Sequence, residues 1–576
     1  MTLKEQIRAA INNFQHDDLT LCTLKLFDTL GYNTKRQCSL PQKNSQYFIK
    51  HPTKKDNFSL KKTIIKDWKS IDLVFQLTSK ELMTNSQLHK SKKFDNKIIE
   101  SYLFVAIELT QNNYSRSKIA QIAREINKTF PMPTLIIFRY ENKITIAITN
   151  HQTNHQTNKQ NKNNTEKITL IKDIEITNIH CAHLDILCDL SLPQIRQTKQ
   201  VNNFADLNNA WMQIIDTKEL NKHFYKELSN WYSWAIKHVN FPNNKNQNNE
   251  NHNSINLIRL ITRIIFVWFI KEKHLIPEKL FDPITLKTIV KNFNKNNNST
   301  NYYNTILQNL FFVTLNQKTN EHNNCAENCN EIDAKMNYRY ENLFIVKKTE
   351  IQELFKEIPF LNCGLFDCLD EKNIETNKYE YVDGFSNDVT KCALIPDFIF
   401  FGKEQRTDLN PIFETKNKKY ANKGLFNILK SYKFTVAENT AIEEEIALDP
   451  ELLGNVFENL LASYNPETKI TTRKQTGSFY TPKEIVEYMV DESLIAYLKN
   501  YLSEHQTTTT KKQFELENKL RSLLSYETKN PFDKNETIII IQAINNCNIL
   551  DPACGSGAFP IGILHKLVLM LQKLDP

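Results

Sequence analysis

Glycine is scarce in this chain: ten serve 576 residues, and nine of the ten follow residue 360. A sequence this sparing puts glycine where the backbone requires it, so Gly555, Gly557 and Gly562, close together in one stretch, draw the eye. Long apolar runs are missing too. Ile264–Ile270 is too short to cross a bilayer, and Ala558–Leu571 carries His565 and Lys566 in its middle, so both read as buried helix and the chain as having no membrane partner. The start, MTLKEQIRAAINNF, has early charges and no apolar core, so no secretory signal is visible in it. The 11 cysteines keep no regular spacing and read as reduced thiols in a cytoplasmic protein. No strong charge of one sign is present: 73 basic against 65 acidic residues leave +8, which permits a nucleic-acid partner without requiring one. No internal repeat is visible.

What is abundant is asparagine and lysine. The purest tracts, His151–Asn164, Asn243–Ser254 and Asn292–Asn301, lack apolar periodicity and read as solvated loops. Residues 1–195 mix strand and helix patterns and predict an N-terminal α/β domain. Ser70–Leu77, Ser101–Leu109, Thr134–Tyr140 and Lys143–Thr149 are strand-like, whereas Ser115–Phe130 places Ile119, Ile122, Ala123 and Ile126 at helical spacing. Residues 196–445 read as a mainly helical connector, with Ile255–Ile276 its clearest helix. On that helix Arg259 and Arg263 stand four apart and read as an ordinary solvated face. Residues 446–576 begin a second α/β region. The fold class is therefore α/β.

The strongest chemical signal is NILDPACGSGAFPIGILHKLVLML, Asn548–Leu571. An apolar strand runs into Asp551, a turn holds Gly555 and Gly557, and an apolar helix follows. This is the layout of a nucleotide-type site at the carboxyl end of a parallel strand. The glycines let the backbone approach a ligand, the helix N-terminus offers free N–H groups, and Asp551 accepts from an ammonium or hydroxyl. Pro560 stands where a dinucleotide fingerprint has its third glycine, and no P-loop is present. Upstream lies RKQTGSFYTPKEIVEYMVDESL, Arg473–Leu494. Thr481 reads as an N-cap with Pro482 at the first helical position and Glu484 three residues after the cap. Ile485, Val486, Met489 and Val490 then form an apolar stripe.

Asp-Pro-x-Cys-Gly-Ser-Gly-x-Phe resembles motif I of the S-adenosylmethionine-dependent N6-adenine DNA methyltransferases, and Phe479-Tyr480-Thr481-Pro482 resembles their motif X. Motif X ahead of motif I is the order of the gamma class. Leu448–Thr468, Gly424–Thr440, Ile358–Asp370 and Leu257–Phe281 look like segments of the single-chain, type IIG restriction–modification proteins. The resemblance implies a doubly wound methyltransferase sheet beginning after residue 446. It implies S-adenosylmethionine as cofactor, held by Phe479, Tyr480, Thr481, Pro482, Asp551, Ala553, Gly555, Gly557 and Phe559, and double-stranded DNA as partner. It also implies a site-specific adenine methyltransferase activity.

The same resemblance makes residues 1–195 a nuclease-like domain. Restriction nucleases place an Asp and then Glu-x-Lys on adjacent strands around Mg²⁺. Asp72 and Glu108 are the candidates, but Thr110 occupies the lysine position, so the site reads as degenerate and Mg²⁺ enters only if it is intact. His322, Cys325 and Cys329 match no standard zinc spacing and read as a chance cluster. The family's base-binding Asn/Asp-Pro-Pro-Tyr/Phe tetrapeptide occurs nowhere in the sequence. Asn410-Pro411, Asn465-Pro466 and Asn530-Pro531 lack the second proline and precede motif I. The expectation is a C-terminally truncated methyltransferase, inactive on its own: a truncated or split gene product, or one half of a two-part enzyme whose remainder would stand on a separate chain. The rival expectation is a non-catalytic DNA-binding or assembly subunit of such a complex.

Overall fold

Apolar alternation builds a sheet at the front of the chain. A computed structural model describes residues 2–50, 65–82, 94–150, 167–242, 249–295, 299–316, 338–361, 363–372, 379–413, 415–435, 443–448, 481–505, 510–526, 529–552, 554 and 557–575. It divides into two units, Met1–Leu460 and Leu461–Pro576.

The first unit holds a mixed six-stranded sheet. Its strands, in spatial order, are β1 (Trp68–Thr78), β2 (Ser101–Leu109), β3 (Thr134–Tyr140), β4 (Lys143–Asn150), β5 (Lys167–Glu175) and β6 (Glu443–Glu445). β2–β3 and β5–β6 pair in parallel and the other neighbours antiparallel. Both faces are covered. Helices α1 (Leu3–Asn12) and α2 (Leu19–Thr29) bury Ile7, Ile11, Cys22 and Leu26 with Phe75, Phe104 and Ala106 of the sheet. Helix α3 (Arg116–Asn127) is the crossover between β2 and β3, and it buries Ile119, Ile122 and Ile126 against Leu103, Val105 and Ile136 on the other face. Polar groups on one side of each strand would have no such partner, which is why the strands are apolar nearly throughout.

β6 is built from three consecutive glutamates. All three are buried, and cations make this tolerable: Arg124 of α3 lies 2.8 Å from Glu443, and Lys167 of β5 lies 2.5 Å from Glu444. This strand ties the helical part of the unit to the N-terminal sheet.

The helical part surrounds α6, Asn249–Glu272, reached through α4 (Cys181–Asp189) and α5 (Thr217–Ala235). Leu257, Ile261, Ile264, Ile265 and Trp268 of α6 are buried in the largest core cluster. Its stretch His252–Glu272 is long and apolar enough to cross a membrane, yet 72% of its apolar window is buried inside the unit, as befits a core helix. Arg263 departs from the solvated face expected of it. It is buried, with its guanidinium 2.8 Å from Asp383 Oδ1 and from the carbonyls of Leu365 and Asp367. A buried guanidinium needs such a set of acceptors, because desolvation is otherwise prohibitive.

The described parts of two asparagine-rich tracts make more contacts than their composition suggests. Asn249–Ser254 opens α6, where Asn253 accepts from Phe241 N–H and donates to Val239 O. Asn292 and Asn294 adopt left-handed φ of 52° and 45°, which asparagine tolerates. Ser299 then donates to the buried Asp397 carboxylate at 2.6 Å. The tract at 151–164 lies outside the described residues.

The second unit shows only helices among its described residues: α7 (Lys483–His505), α8 (Thr510–Leu524), α9 (Lys534–Asn545) and α10 (Ala558–Leu574). The strand expected before Asp551 is not formed. Residues 547–550 carry no ladder pairing among the described residues, and Ile549 and Leu550 are exposed. A strand needs a neighbour to hold its backbone groups.

Candidate cofactor site

Cross-helix contacts set the geometry of the second unit. Val486 and Gly562 touch: a Cβ built on Gly562 would sit 2.8 Å from Val486 Cγ1. Further along, Asp491 of α7 meets Lys566 of α10 at 3.0 Å. Both contacts advance in the same chain direction, so α7 and α10 run parallel, side by side, with their N-termini at one end. α8 runs opposite to α7, as Lys499–Glu517 and Glu492–Arg521 require. α9 runs with α7, because Tyr497 OH donates to Ala543 O and Asn546 lies beside Tyr501.

The two motif regions therefore open toward the same place. α7 starts at Lys483, one residue later than expected, and the Pro482 carbonyl accepts from Ile485 and Val486. Thr481 is half-buried and Pro482 exposed. Phe479 and Tyr480 lie outside the described residues. At α10, Gly557 has φ +82°, a conformation that favours glycine, and a methyl group there would meet open space. Its N–H donates to Cys554 O at 2.8 Å, and its carbonyl accepts from Ile561. Asp551 and Phe559 are half-buried, and Phe559 packs on the unit's core. Ala553, Gly555 and Ser556 lie outside the described residues. Two helix N-termini, each the positive end of a dipole, thus stand close together, with Asp551 six residues before the N-cap of one of them. The positive dipole ends suit a carboxylate, and the Asp551 carboxylate suits an ammonium or a hydroxyl.

Residues that the sequence reading did not assign to the site hold this arrangement. Lys566 is buried and also lies 3.4 Å from Leu524 O, with its ammonium 4.9 Å from the Tyr526 ring centre. Lys573, seven residues on, donates to Leu523 O at 2.8 Å and to Ser525 O. Two lysines of α10 thereby cap the carboxyl end of α8, where free carbonyls and the negative dipole end favour cations. Burial, with help from Lys566, brings the Lys573 ammonium down to about 8. Burial raises the Asp491 carboxyl, and Lys566 works against that rise. A lysine in the middle of an apolar helix was the available signal.

The nuclease candidates fall on one face of the first unit's sheet. Ser70 opposes Glu108 and Asp72 opposes Ala106 across β1 and β2, so Asp72 and Glu108 point to the side of α1 and α2. Neither carboxylate is open. Asp72, 2% exposed, accepts from Thr20 Oγ1 at 2.8 Å, Ser39 Oγ at 3.0 Å and Leu40 N at 2.7 Å, and lies 3.3 Å from Lys43 Nζ. Glu108 takes Lys69 Nζ at 2.9 Å and Arg139 at 3.4 Å. Burial would raise its carboxyl, but the two cations more than offset this and hold it below the usual range. Among the described residues no group of three His, Cys, Asp or Glu is arranged for a metal ion. The donors around Asp72 and Glu108 thus do not fit a divalent cation. His322, Cys325 and Cys329 lie outside the described residues.

Fold and site together define an α/β protein with a second, helical unit that presents two parallel helix N-termini at one place. A protein of Methanocaldococcus jannaschii bearing the name of a type II restriction enzyme and methyltransferase is 25% identical to the chain over 320 residues, which is 54% of this chain and 20% of that protein. The chain spans about a fifth of that relative's length. No family profile and no solved structure matches it.

Proposed function

We propose that the chain belongs to a restriction–modification system and carries the cofactor-binding elements of a site-specific, gamma-class adenine-N6 DNA methyltransferase. The observation that carries this reading is the convergence of the α7 and α10 N-termini, the regions that resemble motifs X and I. The name of the archaeal relative supports it at the coarser level of a restriction enzyme and methyltransferase. S-adenosylmethionine, when bound, supplies the methyl group. Its amino-acid end suits the positive dipole ends of the two helices and the Asp551 carboxylate, while Gly557 leaves the turn unobstructed. Phe479, Tyr480, Thr481, Pro482, Ala553, Gly555 and Phe559 complete the proposed contacts by resemblance. The partner is double-stranded DNA. Because no Asn/Asp-Pro-Pro-Tyr/Phe string occurs in the 576 residues, they are assigned cofactor binding and not the transfer step.

Titration calorimetry of the full chain with S-adenosylmethionine tests the reading. Measurable binding is expected. Asp551→Ala should weaken it by about tenfold or more, the loss of one hydrogen bond to a charged acceptor, and Gly555→Val should abolish it. Absence of binding, or binding indifferent to both changes, would leave the rival reading: a DNA-binding or assembly subunit without cofactor.

A further inference from the structure

We propose that Arg259 of α6 is the centre of an anion-binding site that takes a phosphate group, free or in a nucleic-acid backbone. The site lies in the first unit and is independent of the cofactor reading above. His252, Asn256, Arg259 and Arg263 recur at i, i+4, i+7 and i+11, and so form one polar stripe along a helix otherwise built into the core. The two arginines of the stripe differ. Arg263 is buried and fully engaged, because Asp383 and the carbonyls of Leu365 and Asp367 take its guanidinium. Arg259 is half-buried. Among the described residues it makes one hydrogen bond, from Nη1 to Asn256 Oδ1 at 2.9 Å, and no ion pair. Its other nitrogens are not sealed from solvent. A guanidinium has five N–H donors, so most of them are left for an incoming acceptor.

The one bond it makes fixes its direction. Asn256 is buried and turns its amide NH₂ to His252, 3.0 Å from the carbonyl and 3.1 Å from Nε2, which leaves Oδ1 facing Arg259. All three residues stand on one rigid helix, so the donors are placed before a ligand arrives. Burial pulls the Arg259 guanidinium below its ordinary range; Asp383 works against this and Arg263 adds to it. The group stays charged nonetheless. Asp383 offsets Arg263 alone, so the charge of Arg259 is left over in partly dehydrated surroundings. An arginine of purely structural role meets such desolvation with a carboxylate, as Arg263 does. A phosphate suits the open fork, since it is charged over the whole physiological range and presents two or more oxygens to parallel N–H groups.

The test compares the full chain with Arg259→Gln and Arg259→Lys. Two probes separate the sources of the phosphate: inorganic phosphate by calorimetry, with acetate as control, and a short mixed-sequence duplex by fluorescence anisotropy over a salt series. Arg259→Gln should weaken binding of at least one probe by about tenfold or more. Its urea midpoint should not fall, because the change removes a charge that the fold leaves uncompensated. If the phosphate belongs to DNA, the slope of log affinity against log salt should drop by about 0.9, the share of one phosphate contact. If it is free, only the calorimetric arm should move. Arg259→Lys should recover part of the affinity, as it keeps the charge and loses the fork. Parent-like binding of both probes by Arg259→Gln overturns the proposal. So do a parent that binds neither probe, acetate held as tightly as phosphate, and a loss of affinity that merely follows a loss of stability.

Discussion

Replacing Asp72 by Asn separates two accounts of the N-terminal sheet. A carboxylate kept open for a metal ion stores repulsion, so neutralising it leaves stability unchanged or raises it. Here Asp72 is instead the acceptor at the centre of four donors: Thr20 and Ser39 hydroxyls, the Leu40 N–H and the Lys43 ammonium. Asn keeps the volume but turns one acceptor oxygen into an NH₂ group that faces donors. Each hydrogen bond to a charged acceptor contributes about 1.5–3 kcal/mol, and the contributions do not add fully. Lys43 is 38% exposed and keeps Asp18 at 2.9 Å, so its share is small. The net expectation is a loss of about 2–4 kcal/mol, or roughly 5–15 °C in melting temperature for a cooperative unit of a few hundred residues. Scanning calorimetry of parent and Asp72→Asn, each with and without Mg²⁺, measures it. A variant that melts at or above the parent, together with Mg²⁺ raising the melting temperature of the parent alone, would refute the reasoning and restore a metal site.

Three other outcomes follow from the same structure. Burial holds His183 at about 3 and His180 at about 4, below the ordinary 6.5, so the unfolded chain takes up these protons first. Stability should therefore fall as pH drops from 6.5 toward 4; urea midpoints at pH 7 and pH 5 measure the slope, and His183→Leu should flatten it. Arg263→Met should cost about 3–5 kcal/mol in denaturant titrations by leaving Asp383 buried without its cation, and adding Asp383→Asn should recover part of that. Ile561, Leu564 and Val568 on α10 are exposed beside Ile485 and Met489 on α7, so the chain should self-associate, and Leu564→Lys with Val568→Glu should lower the apparent mass by light scattering.

Where a segment's sequence states its own period, the structure agrees with it closely. β2 and β3 occupy the expected residues, β1 and β4 differ by a residue or two, and α3 keeps the spacing of Ile119, Ile122 and Ile126. The misses have a common cause in partners far along the chain. Glu443, Glu444 and Glu445 carry no strand pattern, and nothing local reveals that Arg124 and Lys167 will neutralise two of them. Arg263 shows only its helix face; Asp383, 120 positions on, decides that the face is buried. Asn292, Asn294 and Ser299 have the composition of a solvated loop, but Asp397 folds the segment around its carboxylate.

The candidate site divides along the same line. Thr481-Pro482 and Asp551 to Gly557 are legible as strings, because turn chemistry and helix starts depend on neighbours in sequence. Their meeting is not legible, since it rests on Val486 finding the one position on α10, Gly562, that has no side chain. α10 closes its hydrogen bonds within itself, and so its start at Ala558 agrees with its sequence. Asn548, Ile549 and Leu550 could close theirs only on another segment. Their apolar composition states a demand for a neighbour without naming it, and no neighbour among the described residues meets that demand. A strand is a property of a pair, and a cofactor site at a strand tip inherits that dependence. For this reason the helix contacts, Lys566 with Asp491 above all, are the part of the site that can be tested on this chain alone.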